Sequence, residues 1–321
     1  MCGQYISPTM VLIGNLSRAI LHTIAYADVF DYPLTAREAH RYLTGAQASL
    51  EEVERALADA TLFARVGEYF TLCGREGIIQ VREQRGEIAS RLWRKAIRYG
   101  RLIASLPFVR MAAVTGSLAV DNTEEGKDID YLLVTEPGRL WTVRAMTLAL
   151  ARLARLERVR LCPNYLLTTN ALELSDHSMY AAHELAQMIP LSGMEVYAHM
   201  RRLNAWTEDV LPNAQGAPST SYLVKIPTRL QRLLEWIFTT LRVDWFEKWE
   251  MNRKIQKLTR EQSSSPETHF SADVCKGHKD SYGQRTNAAL EERLESFGFL
   301  ISGKKSLNTK YTKDTKDGKE R

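Results

Sequence analysis

Cysteine is scarce in this chain, and its four copies, Cys2, Cys73, Cys162 and Cys275, stand far apart with no paired spacing. That pattern excludes a disulfide framework and a zinc finger or ribbon, and it fits a reducing cytosol. Long apolar runs are missing as well: no stretch of about 18 hydrophobic residues offers a membrane span. The beginning lacks a basic segment followed by an apolar core and a small-residue cleavage site. The expectation is a cytoplasmic protein with no membrane partner. Nor is there a strong excess of one charge in the body of the chain. The net charge of +5 is concentrated late, because residues 301–321 hold seven Lys or Arg against three acids. The remainder is near neutral, so charge gives no reason to expect DNA or RNA as a partner.

What is present suits a mixed α+β protein of more than one unit. Hydrophobic residues make up 45% and charged residues 25% of 321 positions, enough for a sizeable core. An opening "MCG" would expose Cys2 as a nucleophile after methionine removal, but nothing downstream supplies a context for it. Helical spacing from Leu16 to Ala27 is followed by a helix capped by Thr35, and then by "SLEEVERALADA" with a Ser49–Glu52 capping box. Two short strand-like runs flank Gly67-Glu68 as a hairpin. Three helices closed by a hairpin, within residues 1–75, resemble a winged helix-turn-helix. The helix that would enter the major groove, Ser49 to Ala60, would carry Glu51, Glu52, Glu54 and Asp59 against Arg55 alone. Such a helix repels phosphates, which favours a protein partner over DNA.

Residues 76–105 read as a connecting helix, and 106–175 as a strand, loop, strand, helix, strand core with a small mixed sheet. Residues 176–260 read as helical, ending in one long amphipathic helix whose Trp236, Trp245 and Trp249 form a packing face. Arg144, Arg152 and Arg155 are expected on a solvated helix face. Residues 261–321 read as an extended segment, with "ADVCKGHKDSYGQR" as a candidate lid, and a disordered lysine-rich tail from Gly303.

The chemistry concentrates in "TGSLAVDNTEEGKDIDYLLV", from Thr115 to Val134. Residues two apart on a strand share a face, so Asp128 and Asp130 present two carboxylates side by side at the start of an apolar strand. Their repulsion calls for a cation, and magnesium takes hard oxygen ligands of this kind together with substrate phosphates. Across the loop, Gly116 allows close backbone approach and the Ser117 hydroxyl can hold phosphate oxygens.

The Gly116-Ser117 pair, ten intervening residues, and Asp128-Ile129-Asp130 followed by Leu132-Leu133-Val134 resemble the nucleotidyltransferase superfamily. That group includes DNA polymerase beta, kanamycin nucleotidyltransferase and the minimal nucleotidyltransferases. The resemblance covers residues 107–170. It implies transfer of a nucleoside monophosphate from an NTP to an acceptor, with two Mg²⁺ ions on Asp128 and Asp130 and the triphosphate on Gly116 and Ser117. The family's third carboxylate from the next strand is missing, with Asn164 near its place. By likeness to kanamycin nucleotidyltransferase, Glu184 is the candidate base, with Glu173 and Asp176 behind it. A catalytically degenerate binding protein of the same fold is the alternative. His177 and His183 read as packing or surface residues.

Overall fold

The computed structural model describes residues 14–58, 63–241, 244–262, 269–277 and 282–296. Cys2 and the lysine-rich stretch from Gly303 lie outside the described residues. The protein is a mixed α and β structure in which helix outweighs strand and two small sheets are present. No helix among the described residues is long and apolar enough to cross a membrane.

The chain begins with α1 (Asn15–Asp28), β1 (Leu34–Thr35), α2 (Ala36–Arg41) and α3 (Leu50–Ala58). The expected Ser49–Glu52 capping box forms, and the expected Thr35 N-cap is part of a second box with Glu38. Thr35 and Glu38 exchange side-chain and backbone hydrogen bonds at the start of α2, and Ser49 and Glu52 do so before α3. The hairpin of β2 (Phe63–Val66) and β3 (Tyr69–Leu72) turns at Gly67 and adds β1 to make a three-stranded antiparallel sheet. Glu51, Glu52 and Glu54 are exposed on α3.

A 27-residue helix, α4 (Ile78–Ala104), links this unit to the second sheet. Its arginines fasten the two: Arg82 bonds Glu38 and the Val120 carbonyl, while Arg85 reaches the Phe30 carbonyl, Asn122 and Glu124. The second unit follows as β4 (Val109–Thr115), α5 (Gly116–Ala119), β5 (Ile129–Thr135), α6 (Leu140–Ala154), β6 (Leu161–Thr168), α7 (Met179–Gln187), β7 (Ile189–Ser192), α8 (Met194–Leu203) and α9 (Thr207–Val210). It is completed by α10 (Thr228–Thr240), α11 (Asp244–Gln262), β8 (His269–Phe270), β9 (Val274–Lys276) and α12 (Tyr282–Ser296). The sheet order is β7-β4-β5-β6-β9-β8; β5 and β6 are parallel and the other pairs antiparallel.

Strand parity divides the core. Ala112, Val114, Ile129, Tyr131 and Leu133 pack with α4 and α6, and Met111, Ala113, Leu132 and Val134 pack with α7 and α8.

Several expectations give way. The long tryptophan helix is two helices, α10 and α11, and its tryptophans do not pack: Trp236 is 65%, Trp245 66% and Trp249 51% exposed. The inward positions are shared between apolar Phe238, Met251 and Ile255, which pack on the core, and polar side chains that are as buried or more so. Gln231 donates to the carbonyls of Ala104, Leu106 and Val109, and Glu235 accepts from the Phe108 N–H and Arg110. Glu247, 6% exposed, accepts from the Trp141 N–H, the Thr142 N–H and the Thr142 hydroxyl. These groups satisfy backbone donors and acceptors that end other elements, a need that outweighs the usual apolar-inward pattern. Arg144 is likewise not on a solvated face, since its Nε and Nη1 are enclosed; Arg152 and Arg155 are exposed as expected. The segment read as extended and lid-like supplies β8 and β9 to the sheet, so Cys275 and Lys276 sit on a fixed strand; His278 lies outside the described residues. Beyond it, α12 packs back on the first unit, with Leu290 in that core and Arg293 Nε 2.6 Å from the Asp28 carboxylate.

Replacing Glu247 with Ala would strand two buried N–H groups at the start of α6. The expected loss is on the order of 2–3 kcal/mol, with Glu247→Gln intermediate, measured by urea unfolding. A loss below roughly 0.5 kcal/mol would show that water reaches this helix start.

Candidate functional site

The site is set by the β4–β5 register, which places Thr115 opposite Asp130 and therefore Gly116 beside it. Gly116 has φ +66°, a left-handed backbone, and a Cβ there would stand 2.8 Å from Asp130 Oδ2. Only glycine meets both demands. The following residue, Ser117, is half-buried, and its hydroxyl makes no hydrogen bond to another described residue.

Asp128 precedes β5, and its Oδ1 lies 2.7 Å from Arg160 Nε without the alignment of a hydrogen bond. The compensating cation is thus Arg160, at the entry to β6, whereas Lys127 pairs with Glu124. Asp130 shares strand parity with Leu132 and Val134, whose neighbours include Leu185 and Met188 of α7 and its end. It therefore points toward the layer that carries Glu184. Glu184 lines an open pocket with Thr115, Asn164, Tyr165, Tyr180 and Lys276.

Electrostatics tie these acids together. Burial pushes the Asp130 carboxyl up to about 6; a hydrogen bond from the Cys162 thiol partly offsets this, and the Asp128 charge adds to it. Burial also pushes Glu184 up to about 7, with the Asp130 charge acting the same way and Lys276 opposing. The Cys162 thiol is raised to about 12 by burial and by Asp130, so it serves Asp130 as a neutral donor. Gly116, Asp130 and Glu184 are thus gathered on one face, with Asp128 at the rim. Glu173 is exposed, and Asp176 is engaged by Lys276 at 3.6 Å and by the Ser178 N–H. His183 packs on Tyr26, with ring centroids 3.9 Å apart, and burial lowers its pKa to about 3; His177 stacks on Trp206. Arg160, Cys162, Tyr165 and Tyr180 belong to this neighbourhood but escape sequence reading, whereas Lys276 comes from the segment expected to lie over the site as a lid and reaches it from a strand instead. Of the four that escaped, Cys162 alone left a signal, through its place in a strand that pairs with the one bearing Asp130.

Among the described residues, no three His, Cys, Asp or Glu side chains converge as a metal cluster. The donors do not fit an all-protein cage. They do fit a hard cation that arrives with substrate oxygens, through two carboxylates two positions apart and a glycine that leaves room above Asp130, with Arg160 displaced from Asp128 Oδ1 as it binds.

Because Asp130 and Glu184 hold protons more tightly folded than unfolded, their contribution to stability falls as pH rises from about 4 through about 7. His22 and His183, lowered by burial to about 4 and about 3, act oppositely and favour the folded state as pH rises toward about 6.5. The acids' share is isolated by comparison with an Asp130→Asn/Glu184→Gln variant. Relative to that variant, the wild-type Tm should drop between pH of about 5 and about 8. Excess Mg²⁺ should recover more of it at the higher pH. A difference that does not change with pH would mean that water solvates both carboxyls.

No protein-family model matches the chain, and neither does any curated protein or solved structure.

Proposed function

We propose that this protein is a Mg²⁺-dependent nucleotidyltransferase that transfers a nucleoside monophosphate from an NTP to a hydroxyl- or amine-bearing acceptor. One observation carries the reading: Asp130 is held over the Gly116 backbone while Glu184, from the facing helix, lines the adjoining pocket. Asp128 and Asp130 would hold Mg²⁺ jointly with triphosphate oxygens. The ion supplies charge neutralisation at the transferred phosphorus and at the departing pyrophosphate. The chain's own residues do the rest. Gly116 admits a phosphate close to the backbone, and the Ser117 hydroxyl donates to one of its oxygens. Glu184, poised at about 7, takes the acceptor's proton as its oxygen or nitrogen bonds to the α-phosphorus and the bond to the β-phosphate breaks. Lys276 faces the same pocket and steadies the Glu184 carboxylate.

The first unit is assigned to a winged helix that recognises a protein partner. The exposed Glu51, Glu52 and Glu54 on α3 support that choice over DNA. A second reading, a binding protein on a degenerate nucleotidyltransferase fold, is favoured by the Arg160 contact with Asp128 and by Asn164 standing where the family has an acid.

Wild-type protein with Mg²⁺ and radiolabelled NTP should release pyrophosphate in the presence of its acceptor. Asp130→Ala should lower Mg-NTP affinity at least tenfold, and Gly116→Ala should do so comparably at a folding cost of roughly 1–2 kcal/mol. Equal Mg-NTP binding by wild type and Asp130→Ala would end the proposal. Tight Mg-NTP binding with no pyrophosphate release from any acceptor class would select the second reading.

A further inference from the structure

The solvent side of α10 and α11 carries large apolar side chains that remain half or more exposed, Trp245 and Trp249 touching only Phe246 and Arg253 of their own helix among the ring contacts. Leu230 is 52%, Leu233 52%, Trp236 65%, Leu241 67%, Trp245 66% and Trp249 51% exposed. They are not scattered. Leu230, Leu233 and Trp236 recur every three residues, and Trp245 and Trp249 stand four apart, so each group forms a helical stripe.

Charge on these two helices is sorted by face. Glu235, Glu247 and Glu250 point inward. The one exposed acid among the described side chains, Asp244, is held by Arg139 at 2.5 Å. Exposed Arg229, Arg232 and Lys248 make no ion pair with another described residue and flank the stripe at three- and four-residue spacings. On each helix the outward surface therefore combines aromatic or aliphatic side chains with cations that make no ion pair with another described residue.

We propose that this face docks on an anionic lipid surface, lying in the headgroup boundary without spanning the bilayer. Tryptophan places its ring at that boundary, leucine enters the acyl layer beneath it, and Arg or Lys meets lipid phosphates. A second copy of the chain offers poorer complementarity, since Arg229, Arg232 and Lys248 would meet equivalent cations across a two-fold axis. Single-stranded nucleic acid would use the tryptophans but leave three leucines without a stacking role. The placement is compatible with the pocket. Helix α10 is anchored at Phe108–Arg110, the beginning of β4, and Gly116 follows its end, about 20 Å away along the strand.

The test is flotation of the full chain with vesicles of phosphatidylcholine alone or mixed with phosphatidylglycerol, together with tryptophan emission. Binding to the mixed vesicles, weakened by salt and accompanied by a blue shift, is expected. Both Trp245→Glu/Trp249→Glu and Arg229→Glu/Arg232→Glu/Lys248→Glu should lower it by about tenfold or more. Circular dichroism melts and Mg-NTP binding report whether these surface variants remain folded. Absence of flotation with mixed vesicles would overturn the proposal, as would flotation that neither variant reduces. A concentration-dependent dimer lost in the tryptophan variant, with no vesicle binding, would assign the face to a second copy instead.

Discussion

Everything at the candidate site depends on one apposition, Asp130 against the Gly116 backbone. Antiparallel register fixes it, because Thr115 and Asp130 are opposite one another at the end of the β4–β5 ladder. A slip of one residue would send Asp130 to the α4 and α6 layer and replace it with Ile129 or Tyr131. The register is secured by apolar neighbours on both faces, so packing far from the acids sets their position. The result is a carboxyl that burial drives toward protonation and that repels both Asp128 and Glu184. Repulsion of this sort is relieved by protonation or by a cation, and the proposed Mg²⁺ role draws on the second.

A different economy governs α10 and α11. These helices attach through Gln231, Glu235 and Glu247, each of which completes backbone groups that β4, α4 or α6 leave open. Attachment by such bonds needs little apolar burial. It releases leucine and tryptophan for the outer face, where they would otherwise be a liability in water.

Local signals in the sequence were faithful guides to local structure. The Thr35 N-cap, the Ser49 capping box, the Gly67 hairpin and the helix from Leu140 each rest on interactions within a few residues, and the two apolar strands around the Asp128-Ile129-Asp130 run declare themselves by composition. What escaped reading needs distant partners. Strand β9 exists because β6, over a hundred residues earlier, offers it hydrogen bonds on one side, with β8 on the other. The inverted faces of α10 and α11 follow from unsatisfied backbone groups elsewhere, which no helical periodicity can register. At the site, Gly116 and the two aspartates were legible as a spacing. Glu184 emerged only from a family likeness, Lys276 only as part of a segment read as a lid, and Arg160 had no local pattern at all.

Helix α12 closes the chain on itself, with Leu290 completing the core of the first unit and Arg293 sharing Asp28 with Arg75. Asp28 and Arg293, 265 residues apart in sequence, thus meet beside that core, so the amino-terminal unit completes its packing through a contact of high sequence separation, the kind whose loop-closure cost slows folding.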